Sequence, residues 1–195
     1  DASADFRAEE IAITPHGSTF TLVVPTGERL PLSLQLAGRY NIANALCAMA
    51  LAYQAGIPLS VMGATLPALK PQWGRIERVE LPPRWTLFVD YAHTDDALTN
   101  VLTTLRELKP ARLLVVFGCG GDRDRAKRPL MGRACAQHAD LLIVTSDNPR
   151  SEAPEAIIQE ILPGIPEGTA LHIEPDRRAA IRWALAAAQP GDIIL

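Results

Sequence analysis

The chain has 195 residues, 48% of them apolar and 21% charged, with a formal net charge of -3. That length buries the core of one large domain or two modest ones, the slightly acidic balance gives no basic surface for nucleic acid, and no apolar run reaches the roughly 18 residues that cross a membrane. Cys47, Cys119 and Cys135 form neither a CxxC pair nor an even framework, so they read as reduced thiols of a cytoplasmic protein.

Residues 10–36 hold three short stretches of β type, "IAIT", "TFTLVV" and "LPLSLQL", set apart by turn residues such as Pro15-His16-Gly17-Ser18 and Pro25-Thr26-Gly27. Alternation with Gly/Pro punctuation predicts antiparallel hairpins. Ile42, Ala45, Leu46, Met49 and Tyr53 then recur at helical spacing, and Gly56 and Pro58 end that helix. A short helix is predicted over 59–68, and "PQWGR" at 71–75 has the composition of a linker. Beyond it, strands at 86–90, 111–118, 140–146, 170–174 and 192–195 alternate with helices at 94–108, 128–139, 154–162 and 176–188. That alternation predicts an α/β fold, a mainly parallel sheet with helices on both faces, whose ligands bind at the carboxyl ends of the strands.

Four polar clusters follow those strands: Asp90 to His93, Gly118 to Arg128, Asp147 to Arg150, and Glu174 to Arg177. In "FGCGGDRDRAKRP" (117–129) three glycines permit close backbone approach, and Arg123, Arg125, Lys127 and Arg128 supply positive charge. It is either an anion site or a turn with a solvated charge run, and it is neither GxxxxGK(S/T) nor GxGxxG. In "DYAHTDDAL" (90–98) the strand-end Asp90, with Tyr91 and His93, suits a ribose and a base, while Asp95 and Asp96 suit the first turn of a helix. His93 has no second His or Cys at ligand spacing, so no metal site is expected there. Asn41 has the chemistry of an N-cap. Asn44, three residues on, is explained by a local backbone bond or by a ligand. "DNPR" (147–150) is the most unusual: Pro149 excludes the helical conformation at Asn148 and so restrains Arg150. A guanidinium recognises a carboxylate with two parallel bonds, and Asp147 and Asn148 accept from an ammonium. The plain alternative is a turn closed by an internal Asp–Arg pair.

Taken together, "GRYNIANALCAMA", "WGRIERV", "VDYAHTDDAL", "GCGGDRDRAKRPLMG" and "TSDNPRSE" resemble the Mur ligase family, in the same order and over essentially the whole chain. The resemblance implies the tail of a central ATP-binding domain over 1–73, built of β-hairpins and helices. It implies an incomplete C-terminal, Rossmann-like amino-acid-binding domain over 74–195. The implied reaction forms an amide bond at the expense of ATP and Mg2+, adding meso-2,6-diaminopimelate to UDP-N-acetylmuramoyl-L-alanyl-D-glutamate (the UDP-MurNAc-dipeptide) in peptidoglycan synthesis. By match to the family's motifs, Asn41, Asn44, Arg75, Asp90 and His93 attend the nucleotide. Arg123, Asp147, Asn148 and Arg150 attend meso-diaminopimelate, whose far stereocentre carries both an ammonium and a carboxylate. The family usually has Pro where Asp95 stands, Gly where Ala126 stands and an acid where Ala153 stands, all local loop changes. Its phosphate loop, its carbamylated lysine that helps to hold magnesium, and its UDP-sugar domain would precede Asp1, and a loop completing the amino-acid site would follow Leu195. The chain is therefore expected to be a fragment, monomeric, without membrane insertion, and inactive by itself. Two other readings stay open: a related ligase adding L-lysine, which leaves Arg150 without a carboxylate, and a non-catalytic nucleotide- or amino-acid-binding module.

Overall fold

Alternation along residues 18–24 sets the first layer. In a computed structural model, which describes residues 4–70, 72–79 and 85–195, β2 (Gly17–Val23) pairs antiparallel with β1 (Arg7–Thr14) and with β3 (Arg29–Leu34). The chain divides into residues 1–77 and 78–195, whereas the motif matches place the boundary at 73/74. Pro71, the start of the expected linker, lies outside the described residues.

In the first unit Phe20, Leu22 and Val24 point to one face with Leu32 and Leu34. They pack on Ile42, Ala45 and Met49 of α1 (Arg39–Gln54), on Met62 of α2 (Leu59–Thr65) and on Leu66 of the 3-10 turn that continues α2. Period 2 in the strands thus meets helical spacing in α1. The β1–β2 turn is Pro15-His16 alone, because Gly17 and Ser18 already pair in β2. Gly17 is required there: its φ is +137°, and a Cβ would lie 2.2 Å from the Leu34 carbonyl oxygen. The N-cap expected at Asn41 is a correction. Gly38 (φ 108°) begins α1 without a side-chain cap, and Asn41 sits inside the first turn, its amide donating to the Ala37 carbonyl at 2.8 Å.

The second unit is a six-stranded sheet in the order β4-β5-β9-β6-β7-β8: Glu77–Val79, Thr86–Val89, Ile193–Ile194, Leu113–Phe117, Leu141–Val144 and Leu171–Ile173. The pairs from β5 to β8 are all parallel. The uninterrupted apolar runs Leu113 to Phe117 and Leu141 to Val144 are what a strand covered on both faces requires. Helices α3 (Asp95–Glu107), α4 (Lys127–His138) and α5 (Pro154–Ile161) carry the chain outward from β5 to β8 and contact one another in turn. Then α6 (Arg177–Ala187) returns it to β9 and packs on Leu114, Ile143 and Ile194 from the opposite face. Right-handed crossovers demand that change of face when the direction reverses. Helix α3 buries Leu98, Val101, Leu102 and Leu105 along one stripe, and its N-cap Thr94 accepts from the Ala97 N–H at 3.2 Å. Fully buried side chains such as Leu102, Leu142 and Ile158 each stabilise by about 1.5–3 kcal/mol. Before β9, buried Asp192 accepts from Arg112 Nε at 3.2 Å and from the Gln189 N–H at 2.7 Å. Those bonds fix the start of the strand between β5 and β6.

Candidate functional site

The carboxyl ends of β5, β6, β7 and β9 surround a cavity of about 920 Å³. It is lined by Asp90 and His93 after β5, by Arg123 and Lys127 after β6, and by Asp147, Asn148 and Arg150 after β7. Arg177, at the start of α6, adds a further guanidinium and donates to the Ser146 carbonyl at 3.2 Å. The four strand-end clusters therefore converge on one site. Asn41, Asn44 and Arg75 belong to residues 1–77 and do not line this cavity. Asn44 is exposed on α1, and Arg75 is exposed after a turn in which its N–H donates to the Gln72 carbonyl at 3.2 Å.

After β5 the chain is shaped by its own side chains. Asp90 accepts from the Ala92 N–H at 2.8 Å, and His93 Nδ1 lies 3.0 Å from the Tyr91 carbonyl. The Tyr91 and His93 rings meet edge to face at 5.2 Å. This is a small platform with a carboxylate at its base, the chemistry that suits a sugar hydroxyl and a flat ring.

The glycines after β6 serve a different end from the one the composition suggests. They bring backbone to backbone: a Cβ on Gly118 would lie 2.3 Å from the Thr145 carbonyl oxygen, and one on Gly121 only 1.8 Å from that of Pro149. The Gly121 N–H donates to the Asn148 carbonyl at 2.8 Å, and Arg150 Nη1 donates to the Gly121 carbonyl. A Cβ on Gly120 would lie 3.0 Å from Arg150 Nη1 and 3.8 Å from Arg123 Cγ, so both exposed arginines pass close to Gly120. Asp122 and Arg150 both hold left-handed backbone (φ 52° and 51°), a conformation that costs a non-glycine residue energy and collects at functional sites. The internal Asp147–Arg150 pair is not found among the described residues; Arg150 is tied instead to the neighbouring loop.

Of the charge run, Arg123, Arg125 and Lys127 are exposed as a solvated run requires, and Arg128 alone departs from it. Arg128 is 1% exposed, with both terminal nitrogens on carboxylates: Nη1 to Glu152 at 2.9 Å and to Glu160 at 2.8 Å, Nη2 to Glu152 at 2.7 Å. Arg125 pairs with Glu160 as well. The Arg128 guanidinium and the Asp122 N–H together hold the Glu152 carboxyl down at about 2. Arg123 and Lys127 are left as the cations of this stretch at the cavity surface. Cys119 also lines the cavity, but burial pushes its thiol up to about 12, so it stays protonated and is no nucleophile. Among the described residues no group of three or more His, Cys, Asp or Glu is placed to hold a metal ion. The cavity wall thus gathers guanidiniums, carboxylates and an amide, groups that can pair with charged and hydrogen-bonding parts of a small molecule.

The family model "Mur ligase, glutamate ligase domain" matches residues 74–195, and "Mur ligase middle domain" matches residues 1–52. The UDP-N-acetylmuramoyl-L-alanyl-D-glutamate–2,6-diaminopimelate ligase of Thermosynechococcus vestitus is 46% identical over 194 residues, 98% of this chain and 39% of that protein. Its namesake from Listeria monocytogenes is 44% identical over 192 residues, again 98% and 39%. A solved structure of a ligase of that name superposes with a TM-score of 0.71 at 40% identity, over 100% of this chain and 40% of the other. Mycobacterium tuberculosis folylpolyglutamate synthase complexed with ADP gives 0.77 at 22% identity, over 99% and 45%, a likeness of fold alone. The chain thus spans about two-fifths of the length of these curated relatives. Among the described residues no helix is long and apolar enough to cross a membrane.

Proposed function

The chain belongs to the Mur ligase family, and from that membership we propose that it forms the amino-acid-binding end of an ATP-dependent ligase, one that joins meso-2,6-diaminopimelate to UDP-N-acetylmuramoyl-L-alanyl-D-glutamate in peptidoglycan synthesis. The observation that carries this reading is that Arg123 and Arg150 both come close to Gly120 and line one cavity with Asp147 and Asn148. A diaminopimelate molecule presents a carboxylate and an ammonium at each of two centres. Arg150 takes the far carboxylate, Asp147 and Asn148 take the far ammonium, and Arg123 takes a carboxylate of the same molecule. The other amine is left to react.

In the reaction the D-glutamate carboxylate attacks the γ-phosphorus of ATP, forming an acyl phosphate and releasing ADP. The amine then attacks the acyl carbon, phosphate leaves, and one proton is lost from nitrogen as the amide forms. The residues of this chain contribute orientation, which turns the second step into one between neighbours. Asn41, Asn44, Arg75, Asp90 and His93 are assigned to the nucleotide by match to the family's motifs. Residues 1–73 are assigned to the central ATP-binding domain and 74–195 to the amino-acid-binding domain. Magnesium accompanies ATP, but the described residues offer no cluster to hold it, so no ligand for it is assigned in this chain. We assign the protein to the cytoplasm, where its three free thiols would stay reduced, and read it as a monomer.

The test is ADP release by the whole gene product given ATP, the UDP-dipeptide and one amino acid. Release that requires meso-diaminopimelate, with little for L-lysine, is expected. Preferential turnover of L-lysine would replace the diaminopimelate reading with the lysine one. An absence of any amino-acid-dependent release would reduce the chain to a binding module.

A further inference from the structure

We propose that Glu152 and Arg128 are positioning residues for amino-acid recognition: they lock the loop carrying Arg123 to the loop carrying Asp147, Asn148 and Arg150, and so fix the spacing of the two guanidiniums. The inference rests on the reading of this cavity as a diaminopimelate site. Three layers of contact join the loops. The first is the close backbone approach at Gly118 and Gly121, with the bond from the Gly121 N–H to Asn148. The second couples the two left-handed residues, as Asp122 accepts from the Ser151 hydroxyl at 2.6 Å and from its N–H at 3.3 Å, one residue beyond Arg150. The third is Glu152. One carboxylate oxygen takes both the Asp122 N–H at 2.6 Å and Arg128 Nη2 at 2.7 Å, while the other takes Arg128 Nη1 at 2.9 Å.

Asp122 directly precedes Arg123, and Glu152 lies two residues after Arg150, so this carboxylate spans the pair at the backbone. Arg128 directs it. Its fork is anchored in the first turn of α4 and braced by Glu160 on α5, and Nη2 reaches the carbonyl of Gly120, the glycine that both arginines approach, at 3.4 Å. A buried ion pair is weak evidence for stability, since apolar residues of the same volume often serve as well. What apolar residues lack is direction. A bidentate fork holds the carboxylate plane, and with it the Asp122 N–H, in one orientation. Residues that support a recognition pair in this way keep it within the fraction of an ångström that binding needs.

The experiment uses the whole gene product and four kinetic constants: kcat and the KM values for meso-diaminopimelate, ATP and the UDP-dipeptide. Glu152→Gln puts an amide nitrogen against Arg128 or leaves the Asp122 N–H unbonded. Glu152→Asp keeps the charge but is one methylene too short to serve both. Each is expected to raise the KM for meso-diaminopimelate roughly tenfold or more, with the other two KM values within about twofold, as measured scatter allows. In the Glu152→Asp background, Arg123→Ala and Arg150→Ala should cost less than in the wild type, because their spacing is already lost; purely structural damage would leave those costs unchanged. Should Glu152→Gln fail to fold, Glu152→Asp decides alone. A folded Glu152→Asp enzyme with the wild-type KM for meso-diaminopimelate overturns the proposal. If the wild type itself shows no dependence on meso-diaminopimelate, the functional reading has failed and this inference falls with it.

Discussion

Removing the Arg150 side chain is the sharpest probe of the site. Arg150→Ala keeps an L-residue at φ 51°, so the backbone strain is the same before and after and the loss reports on the guanidinium. Truncating one partner of a desolvated charge pair costs about 2–5 kcal/mol. Here the lower part of that range applies. Arg150 is exposed before the ligand arrives, and Nη1 already donates to the Gly121 carbonyl, which leaves the fork partly solvated and partly used. A cost of about 2–3 kcal/mol is a fall of roughly 30- to 150-fold in kcat/KM for meso-diaminopimelate. Arg150→Lys should recover only part, because an ammonium does not reproduce the two parallel bonds. The assay is ADP release by the whole gene product at varied amino acid, with L-lysine as the control substrate. L-Lysine lacks the far carboxylate, so its slow turnover should be nearly indifferent to Arg150→Ala. Equal losses for both amino acids would refute the reasoning and make Arg150 a purely structural tie to Gly121.

Gly121→Ala would set a Cβ 1.8 Å from the Pro149 carbonyl oxygen, so the loops must part, and a loss of about 1–3 kcal/mol is expected; an unchanged melting temperature would show that the close approach is dispensable. The Glu152 carboxyl is held from an ordinary 4.5 down to about 2, first by the Arg128 guanidinium and then by the Asp122 N–H. Its folded value lies below its unfolded one, so its contribution is complete above about 4.5 and is lost as pH falls toward about 2. The difference in melting temperature between wild type and Glu152→Gln should therefore be constant near neutrality and shrink across that acid window; a constant difference down to the lower end would contradict the pairing. ATP titrated calorimetrically into this chain should bind more weakly than micromolar, since the sequence contains no GxxxxGK(S/T) loop to cradle phosphates; micromolar binding would mean that a phosphate site has been overlooked.

The elements of the parallel sheet were legible because their signals are local. A run such as Leu113 to Phe117 and a stripe such as Leu98, Val101, Leu102 and Leu105 each announce themselves within a dozen residues. The convergence of the four strand-end clusters followed from the parallel sheet alone. Arg128 was illegible for the opposite reason. Its partners Glu152 and Glu160 lie 24 and 32 residues away, and a cation beside Arg123, Arg125 and Lys127 reads as one more solvated charge until those carboxylates are placed. The glycines misled in the same way: their type announces a close approach, but only the fold says that the approaching group is the backbone at 145–149. At Asn41 a side chain fit for capping lost to Gly38, whose left-handed φ starts the helix three residues earlier. The position of β9 was also hidden, since "DIIL" says strand and nothing about which neighbours it joins.

That position bears on how the polypeptide is made. A ribosome releases β5 and β6 long before β9, yet β9 separates them, pairing residue 86 with 193 and residue 113 with 193. Until Ile193 and Ile194 emerge, the facing edges of β5 and β6 carry unpaired backbone groups and an apolar gap between them. Folding of residues 78–195 is then gated by the arrival of a short late segment, which makes its contacts non-local and its assembly slow. Nascent chains stalled before residue 193 has emerged should engage chaperones and be cut by proteases more readily than those stalled after it.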